Sequence, residues 1–432
     1  MAQNTSTFSF QYTESKPLGS AQVTIDAHAV DELFEHTLAL QQQTANPLGF
    51  NKNQAPKNYT HTYYQEALVI HLKEFFLKYH VVSYLYQQLH NNKIMVVGEP
   101  RLIKISLQSH QDAEYLFECT TAPKITVRDW RYLPFKAPLR KKYQDIDKQA
   151  TLFIAQELAA KETYTQQHIA PGDWVLFEVV LLNHKQKILI DDLRELLWIQ
   201  MSAEETGEPF RSLFIGKAKG DSFVTDHLCL QEYFGSNIDV HYIFNITIKE
   251  ILPIAYFCLD LFKDQFKLKS ERKAHQKIVE VYSFRNDISL RRSMVEEALT
   301  LLAKTYPFDI PPSAILRQEK IILDDLQNNQ DYVIYKLQRD FAHNIHLLAE
   351  KQIREQMIAD YFAHQENLAI NEADVYQYLN LTKRPRTKEF VYFMHPAMNA
   401  NEEEIPIQHE VLRHFCRKEK AVNHLLYHWG KP

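Results

Sequence analysis

The chain has 432 residues, more than one ordinary core can organise, so two or three domains are expected. A formal net charge of −5 with 45% hydrophobic residues reads as soluble and globular, and no apolar run reaches the roughly 18 residues that span a bilayer. Cys119, Cys229, Cys258 and Cys416 are scattered and form no CxxC pair, which favours a reduced cytoplasm over disulfides or zinc. Residues 1–11 have no basic start and no apolar core, so a secretory leader is not expected. Glycine is scarce, 9 in all, and none lies between 236 and 429. Gly172, Gly207, Gly216, Gly220 and Gly235 fall close together, which predicts a turn-rich middle module followed by a long helical region. The same scarcity excludes GxxxxGK[ST] and GxGxxG phosphate loops.

In chain order, Phe8, Phe10 and Tyr12, then Val23 and Ile25, alternate around Pro17-Leu18-Gly19-Ser20, which predicts two strands and a turn. Val30, Leu33, Phe34 and Leu38 repeat at helical spacing behind Asp26, a residue suited to cap the first turn. Tyr64, Leu68, Leu72, Phe75 and Tyr79 form a second helical stripe, and a third helix is expected over Val81–Leu89. The joint between the first two helices reads Asn46-Pro47-Leu48-Gly49-Phe50-Asn51-Lys52-Asn53-Gln54-Ala55-Pro56, with Pro56 suited to the first helical position. An apolar ring at such a tip either folds back on the helix pair or waits for a partner. Strands are expected at Arg101–Leu107 and Glu114–Thr121, closing an α+β domain.

The helix-loop-helix joint resembles the ribosome-docking signature of bacterial trigger factor, Gly-Phe-Arg-Lys-Gly-Lys-x-Pro. Gly49, Phe50, Lys52 and Pro56 match in order, whereas Asn51, Asn53 and Gln54 replace the arginine, the second glycine and the second lysine. Gly98-Glu99-Pro100, the segment Thr121–Val127 and the stretch Glu366–Val375 also resemble family features in the same order along the chain. The resemblance implies an α+β, multidomain, elongated architecture: a ribosome-binding domain over 1–122, a linker and connecting helix over 123–170, a small β-rich FKBP-like domain over 171–252, and an all-α chaperone domain with arms over 253–432. It assigns ribosome contact to Gly49, Phe50, Asn51, Lys52 and Pro56.

Prolines 123, 134 and 138, with Trp130, Tyr132 and Phe135, predict an extended segment lying on other parts of the protein, then a helix over Ile146–Lys161. In the middle module, Ile215-Gly216-Lys217-Ala218-Lys219-Gly220-Asp221 resembles a turn of FKBP-type prolyl isomerases. The loop that should read Ile-Pro-Gly-Phe is instead Glu205-Thr206-Gly207-Glu208-Pro209-Phe210, and the flap shortens to Cys229–Asn237. Isomerases hold a prolyl amide in a dry aromatic pocket against a barrier near ~20 kcal/mol. Trp174, Phe177, Trp198, Phe210, Ile215 and Phe223 are the candidate lining; the same aromatics equally suit the core of a small β domain. Whether the chain is an enzyme is left open here, since the family is a prolyl cis-trans isomerase but the motif is degenerate.

Beyond Leu252 the pattern is helical, with Ala349, Ile353, Met357 and Tyr361 spaced by four and Ile358 and Phe362 beside them. Breaks are expected at Pro307 and Pro311-Pro312, at Lys383-Arg384-Pro385-Arg386, and around 394–406. The basic run Lys383–Lys388 reads as a solvated turn rather than an RNA contact, for it has no interleaved aromatics. The pairs His424/His428 and Glu410/His414 lack converging partners for a metal, and no metal or other cofactor is expected. Neighbouring Asp191-Asp192 and Asp324-Asp325 point apart and make no shared-proton dyad. No HExxH, GxSxG or Cys-His signature occurs.

Together these point to an ATP-independent cytoplasmic chaperone that meets nascent or unfolded polypeptides near the ribosomal exit tunnel, with a vestigial or weak isomerase domain. DNA and membrane are not expected partners, and the family admits a homodimer off the ribosome. The alternatives are an active prolyl isomerase and a ribosome-independent chaperone or scaffold of the same architecture. The helical region should leave apolar stripes exposed, with Met294, Met357, Met394 and Met398 adapting to irregular partners.

Overall fold

The computed structural model describes residues 7–430 apart from 16–17, 45–48, 51–53, 124, 126, 140–144, 202–207, 236–239, 328–331, 396–398, 401–402 and 405. Alternation at the start of the chain becomes β1 (Phe8–Ser15) and β2 (Leu18–Ile25), antiparallel with Phe8 opposite Ile25. Pairing reaches Ser15 opposite Leu18, so Leu18–Ser20, expected in the turn, belong to β2. The Asp26 carboxylate accepts from the His28 backbone N–H at 2.8 Å and caps α1 (Ala27–Thr44), as expected. Val30, Leu33, Phe34 and Leu38 are all buried.

Pro56 sits one residue before α2 (Lys57–Phe76) rather than inside it. A single π turn, Leu77–Val81, then leads without a break into α3 (Val82–Asn91). The separate third helix expected from the sequence is therefore the far end of one rod, residues 57–91. Strands β3 (Arg101–Ser106) and β4 (Ala113–Thr120) complete an antiparallel sheet ordered β1-β2-β4-β3.

Val127 and Trp130 lie buried against the C-terminal helices, where the Trp130 indole donates to Glu366 at 2.8 Å. After α4 (Ile146–Thr163) comes the middle module: β5 (Trp174–Leu182), β6 (Arg194–Gln200), α5 (Glu208–Ser212), β7 (Ser222–Thr225), α6 (Leu228–Phe234) and β8 (Ile243–Leu252). At its entry Gly172 has φ +92°, and a Cβ there would meet the Ile254 side chain at 2.8 Å, so only glycine suits the turn.

The C-terminal region is helical: α7 (Leu259–Gln265), α8 (Glu271–Ile278), α9 (Leu290–Thr305), α10 (Pro312–Gln327), α11 (Tyr332–Lys336), α12 (Phe341–Gln365), α13 (Glu372–Thr382) and α14 (His409–Trp429). Two short hairpins, β9 (Phe284–Arg285) with β10 (Ile288–Ser289) and β11 (Asn399–Ala400) with β12 (Glu403–Glu404), interrupt it. The turn between α12 and α13 is closed by a reciprocal capping box between Asn371 and Asp374. Just before α14, β13 (Ile407–Gln408) adds to the edge of β6, so the middle sheet is ordered β13-β6-β5-β8-β7.

The first domain and the middle module share one core across the rod. On one ridge His80 packs 4.7 Å from the Phe8 ring and the Tyr84 hydroxyl donates to the Phe8 carbonyl at 3.2 Å, while His80 Nδ1 also meets Glu195 of β6 at 3.1 Å. On the adjoining ridge Phe75 lies 4.8 Å from the Tyr242 ring, and the Tyr79 hydroxyl donates to the Val179 carbonyl at 2.9 Å. Tyr242 in turn bonds Thr37 at 2.8 Å and His71 at 3.0 Å, tying α1 and α2 to the module. Burial holds the His71 imidazole down to about 4, so it bonds Tyr242 in its neutral form.

Truncating Phe75 to alanine should cost about 3–5 kcal/mol, and Tyr79→Phe, which removes the bond to the Val179 carbonyl, about 1 kcal/mol. Because the two units share a core, calorimetry of the full chain should show the first domain and the module melting together, and Phe75→Ala should lower that one transition. Two transitions, of which the substitution moves only one, would contradict the shared core.

Candidate functional site

Three regions bear on function. The first is the α1–α2 joint. Gly49 has φ +93° with nothing within 4 Å of a would-be Cβ, so conformation alone demands glycine there. The loop is pinned by the Gln42 amide donating to the Ala55 carbonyl at 3.1 Å, and Ala55 is buried. Phe50 is half-buried, its ring 4.8 Å from Tyr59. Tyr59 stacks on Tyr63 at 5.8 Å and 16°, and Tyr63 meets Tyr64 edge-on at 4.8 Å. Tyr59 is 36% and Tyr63 53% exposed, so the phenylalanine opens a row of rings along the outer face of α2. Helical spacing of 59 and 63 is the sequence signal for that row; it went unread because the buried stripe one step round the helix dominates the pattern. Pro56 is exposed, while Asn51 and Lys52 lie outside the described residues.

The second region is the middle module. The sheet separates the expected pocket residues. Phe177, Phe210 and Phe223 gather around Phe214 at centroid distances of 5.0, 5.1 and 5.5 Å. Trp174 and Trp198 belong to a different core, shared with C-terminal helices, where the Trp198 indole donates to His409 Nδ1 at 3.0 Å. Period-two alternation along β5 and β6 accounts for the split. Phe177, Phe210 and Phe214 are themselves buried, so their cluster is filled core; Ile215 stands exposed on the turn beside it. Glu205, Thr206 and Gly207 of the altered loop lie outside the described residues, as do Ser236 and Asn237 at the end of the short flap.

The third region is the arm formed by α10 and α12 with α11 at its tip. Ile322, Ile345 and Ala349 pack between the helices, Gln318 donates to Gln352 at 2.8 Å, and His346 meets Glu319 at 2.6 Å. Among the described residues nothing comparable covers the tip, where Val333, Ile334 and Leu337 are 67%, 63% and 82% exposed. Leu316, Ile321, Leu347 and Leu348 extend the apolar surface along both helices. At the base, Ile353 and Met357 pack on Val97 of the first domain. A two-helix arm has one inner seam, so apolar residues on its other faces remain in water. The total accessible surface, 22982 Å², exceeds the about 17,000 Å² of a compact 50.9 kDa monomer.

Two expectations need correction. The basic run 383–388 is not a solvated turn: Lys383 is buried and reaches the Pro253 carbonyl, and Arg384 forks onto Glu157 at 2.6 and 2.7 Å. Arg386 lies over the Tyr282 and Phe284 rings. Desolvation lowers Lys383 to about 8 despite nearby Asp173. The methionines do not supply the exposed surface either. Met357 is buried, Met294 and Met394 pack against cores, and Met398 lies outside the described residues. Leucine, isoleucine and valine take that place.

His424 and His428 lie ring to ring at 4.6 Å against Trp130, and burial lowers His424 to about 4. No group of three or more His, Cys, Asp or Glu among the described residues could hold a metal. The four cysteines form no disulfide. Among the described residues no helix is long and apolar enough to cross a membrane.

No curated protein sequence matches the chain. A solved structure of the trigger factor chaperone, from work on promiscuous substrate recognition in its folding and assembly activities, aligns over 97% of this chain and 99% of its own. Identity is 16% and the TM-score 0.35, too loose a likeness to bear on arrangement. The family model for bacterial trigger factor protein matches residues 10–152. That span holds the four-stranded sheet, the α1–α2 joint and the rod, so over this N-terminal third the chain is similar to bacterial trigger factor protein.

Proposed function

We propose that the protein is an ATP-independent cytoplasmic chaperone that docks near the ribosomal exit tunnel through the α1–α2 joint and holds nascent or unfolded polypeptides on the α10–α12 arm. The observation that carries the reading is the arm tip. Isolated exposed apolar residues are common, but a run of them on a projecting element is a binding surface. Its contacts are non-directional and spread over two helices, which suits many unfolded sequences rather than one. The match of residues 10–152 to the trigger factor family model and the half-buried Phe50 in the joint support docking through that end.

The middle module serves as structure rather than catalysis in this reading. Its Phe177–Phe210–Phe214 cluster is closed, and both tryptophans face another core. Isomerase turnover on a short prolyl peptide should be absent or close to background; robust catalysis lost on Phe210→Ala would restore the enzymatic alternative.

Two further outcomes follow. With only Lys52 matching the basic positions of the family signature, ribosome binding should be weak and shallow in salt, since each absent phosphate contact removes roughly 0.7–0.9 from the logarithmic slope. Replacing Phe50 and Lys52 together by alanine should abolish co-sedimentation with ribosomes, and unchanged sedimentation would sink the docking assignment. On the arm, Ile334→Ser with Leu337→Ser should leave stability within about 0.5 kcal/mol, because both are exposed. The same double change should cut protection of an aggregating denatured protein several-fold without ATP. Full protection by that variant would place the binding surface elsewhere.

A further inference from the structure

Where α14 meets the first domain, its His414 and Arg417 stand one turn apart, facing His90 of α3 and His364 of α12. Arg417 is only 8% exposed. Its guanidinium donates to His90 Nδ1 at 2.8 Å and to His414 Nδ1 at 3.3 Å. Arginine has no acceptor and stays charged, so both Nδ1 atoms must keep their lone pairs, and both rings are the neutral Nε2–H form. Tyr86, His414 and Arg417 line two adjoining clefts that lead to the cluster; His90 lines one of them and His364 the other.

We propose that this cluster is an acid-sensitive latch: proton uptake by His90, His364 and His414 releases the α3 side of the first domain from α12 and α14. A proton on either Nδ1 would set donor against donor and cation against cation. The charges around the rings offer little relief. Arg413, Arg417 and Lys418 come from α14 and Lys93 from the segment after α3. Against them stand Asp360 of α12, Glu410 of α14 and Glu99 after α3. Glu410 is already paired with Arg413 at 2.8 Å, and Asp360 is shared between Arg417 at 3.9 Å and Lys418 at 3.8 Å. Other polar ties across the junction among the described residues, Lys93 to Asn367, Arg317 to Thr120 and the Gln408 amide to the Lys78 carbonyl, do not involve a group that titrates near neutrality.

Burial first, then Arg417, lowers His90; burial and Arg417 hold His364 down to about 4; burial, then Lys418 and Arg417, hold His414 well below its ordinary value. Once α3 has moved away, His90 would titrate near the ordinary ~6.5, and the two rings left beside Arg417 would rise toward it as their burial is relieved. The lowered values mean that the closed junction has its full stability above that pH and loses it as pH falls below it. Below that pH proton uptake moves the closed-to-open ratio toward open, most directly through His90, the one ring of the three that leaves Arg417. Opening would uncover the apolar contact of Val97 with Ile353 and Met357.

The test places a donor and an acceptor fluorophore, through unnatural amino acids, at exposed Ile103 on β3 and Leu347 on α12 of the full chain. Transfer should fall reversibly between pH 7.5 and 5. His90→Gln, His364→Gln and His414→Gln combined should make it flat, because a glutamine carbonyl can accept from Arg417 but takes no proton. A native chain whose transfer is constant over that range, or a fall that survives the triple change, overturns the latch. Should the triple variant not fold, Arg417→Met removes the opposing charge and should shrink the pH response; an unchanged midpoint and amplitude overturns it equally.

Discussion

Everything in the first 252 residues depends on the rod from 57 to 91 being buried along two ridges at once. An ordinary surface helix buries one stripe and presents the rest to water. Here His80 and Tyr84 meet the first sheet at Phe8, with His80 also reaching Glu195 of β6, and Phe75 and Tyr79 serve the middle module. Two ridges of large side chains can be aimed at two sheets only if their angular offset is right, and the π turn at Leu77–Val81 inserts the extra residue that resets it. The Lys78 carbonyl within this turn accepts from the Gln408 side-chain amide at 2.7 Å. The irregularity in the helix is thus tied directly to the strand that completes the middle sheet.

Much of the fold could be read from periodicity. The stripes Val30–Leu38 and Leu68–Tyr79, the alternation in β1, β2 and β4, and the breaks at Pro307 and Lys383 all correspond to real elements. What could not be read was which surfaces meet. Tyr79 and Phe75 read as the core of one domain because burial against a neighbouring domain leaves the same apolar signature as burial within its own. Trp174 and Trp198 were grouped with Phe177 because the reading ignored the alternation that puts them on opposite faces of the sheet. At the candidate site, the motif singles out Gly49 and Phe50, whereas the ring row from Tyr59 to Tyr64 emerges only from the geometry of α2.

Charge shows the same gap between composition and placement. A run such as Lys383–Lys388 looks solvated by count, yet three of its cations are spent on a carbonyl, a buried-side carboxylate and two aromatic faces. Aliphatic stems cover apolar surface while the heads find partners, so basic residues build the joint between α13 and the middle module. The arm is the converse case. Its Leu, Ile and Val read as core, but an element two helices thick has no interior to put them in.

Strand β13 has a consequence for the order in which the chain can be completed. Residues 407–408 pair with the edge of β6, and the first residue of α14, His409, receives the Trp198 indole. During vectorial synthesis β1 through β8 are made long before this strand. Until it arrives, the β6 edge offers unpaired backbone groups and Trp198 lacks its acceptor, the state in which sheets recruit foreign strands. The newly made protein therefore passes through an interval in which it is itself an unfinished chain with an open sheet edge, closed only when residues 407–429 fold back on it.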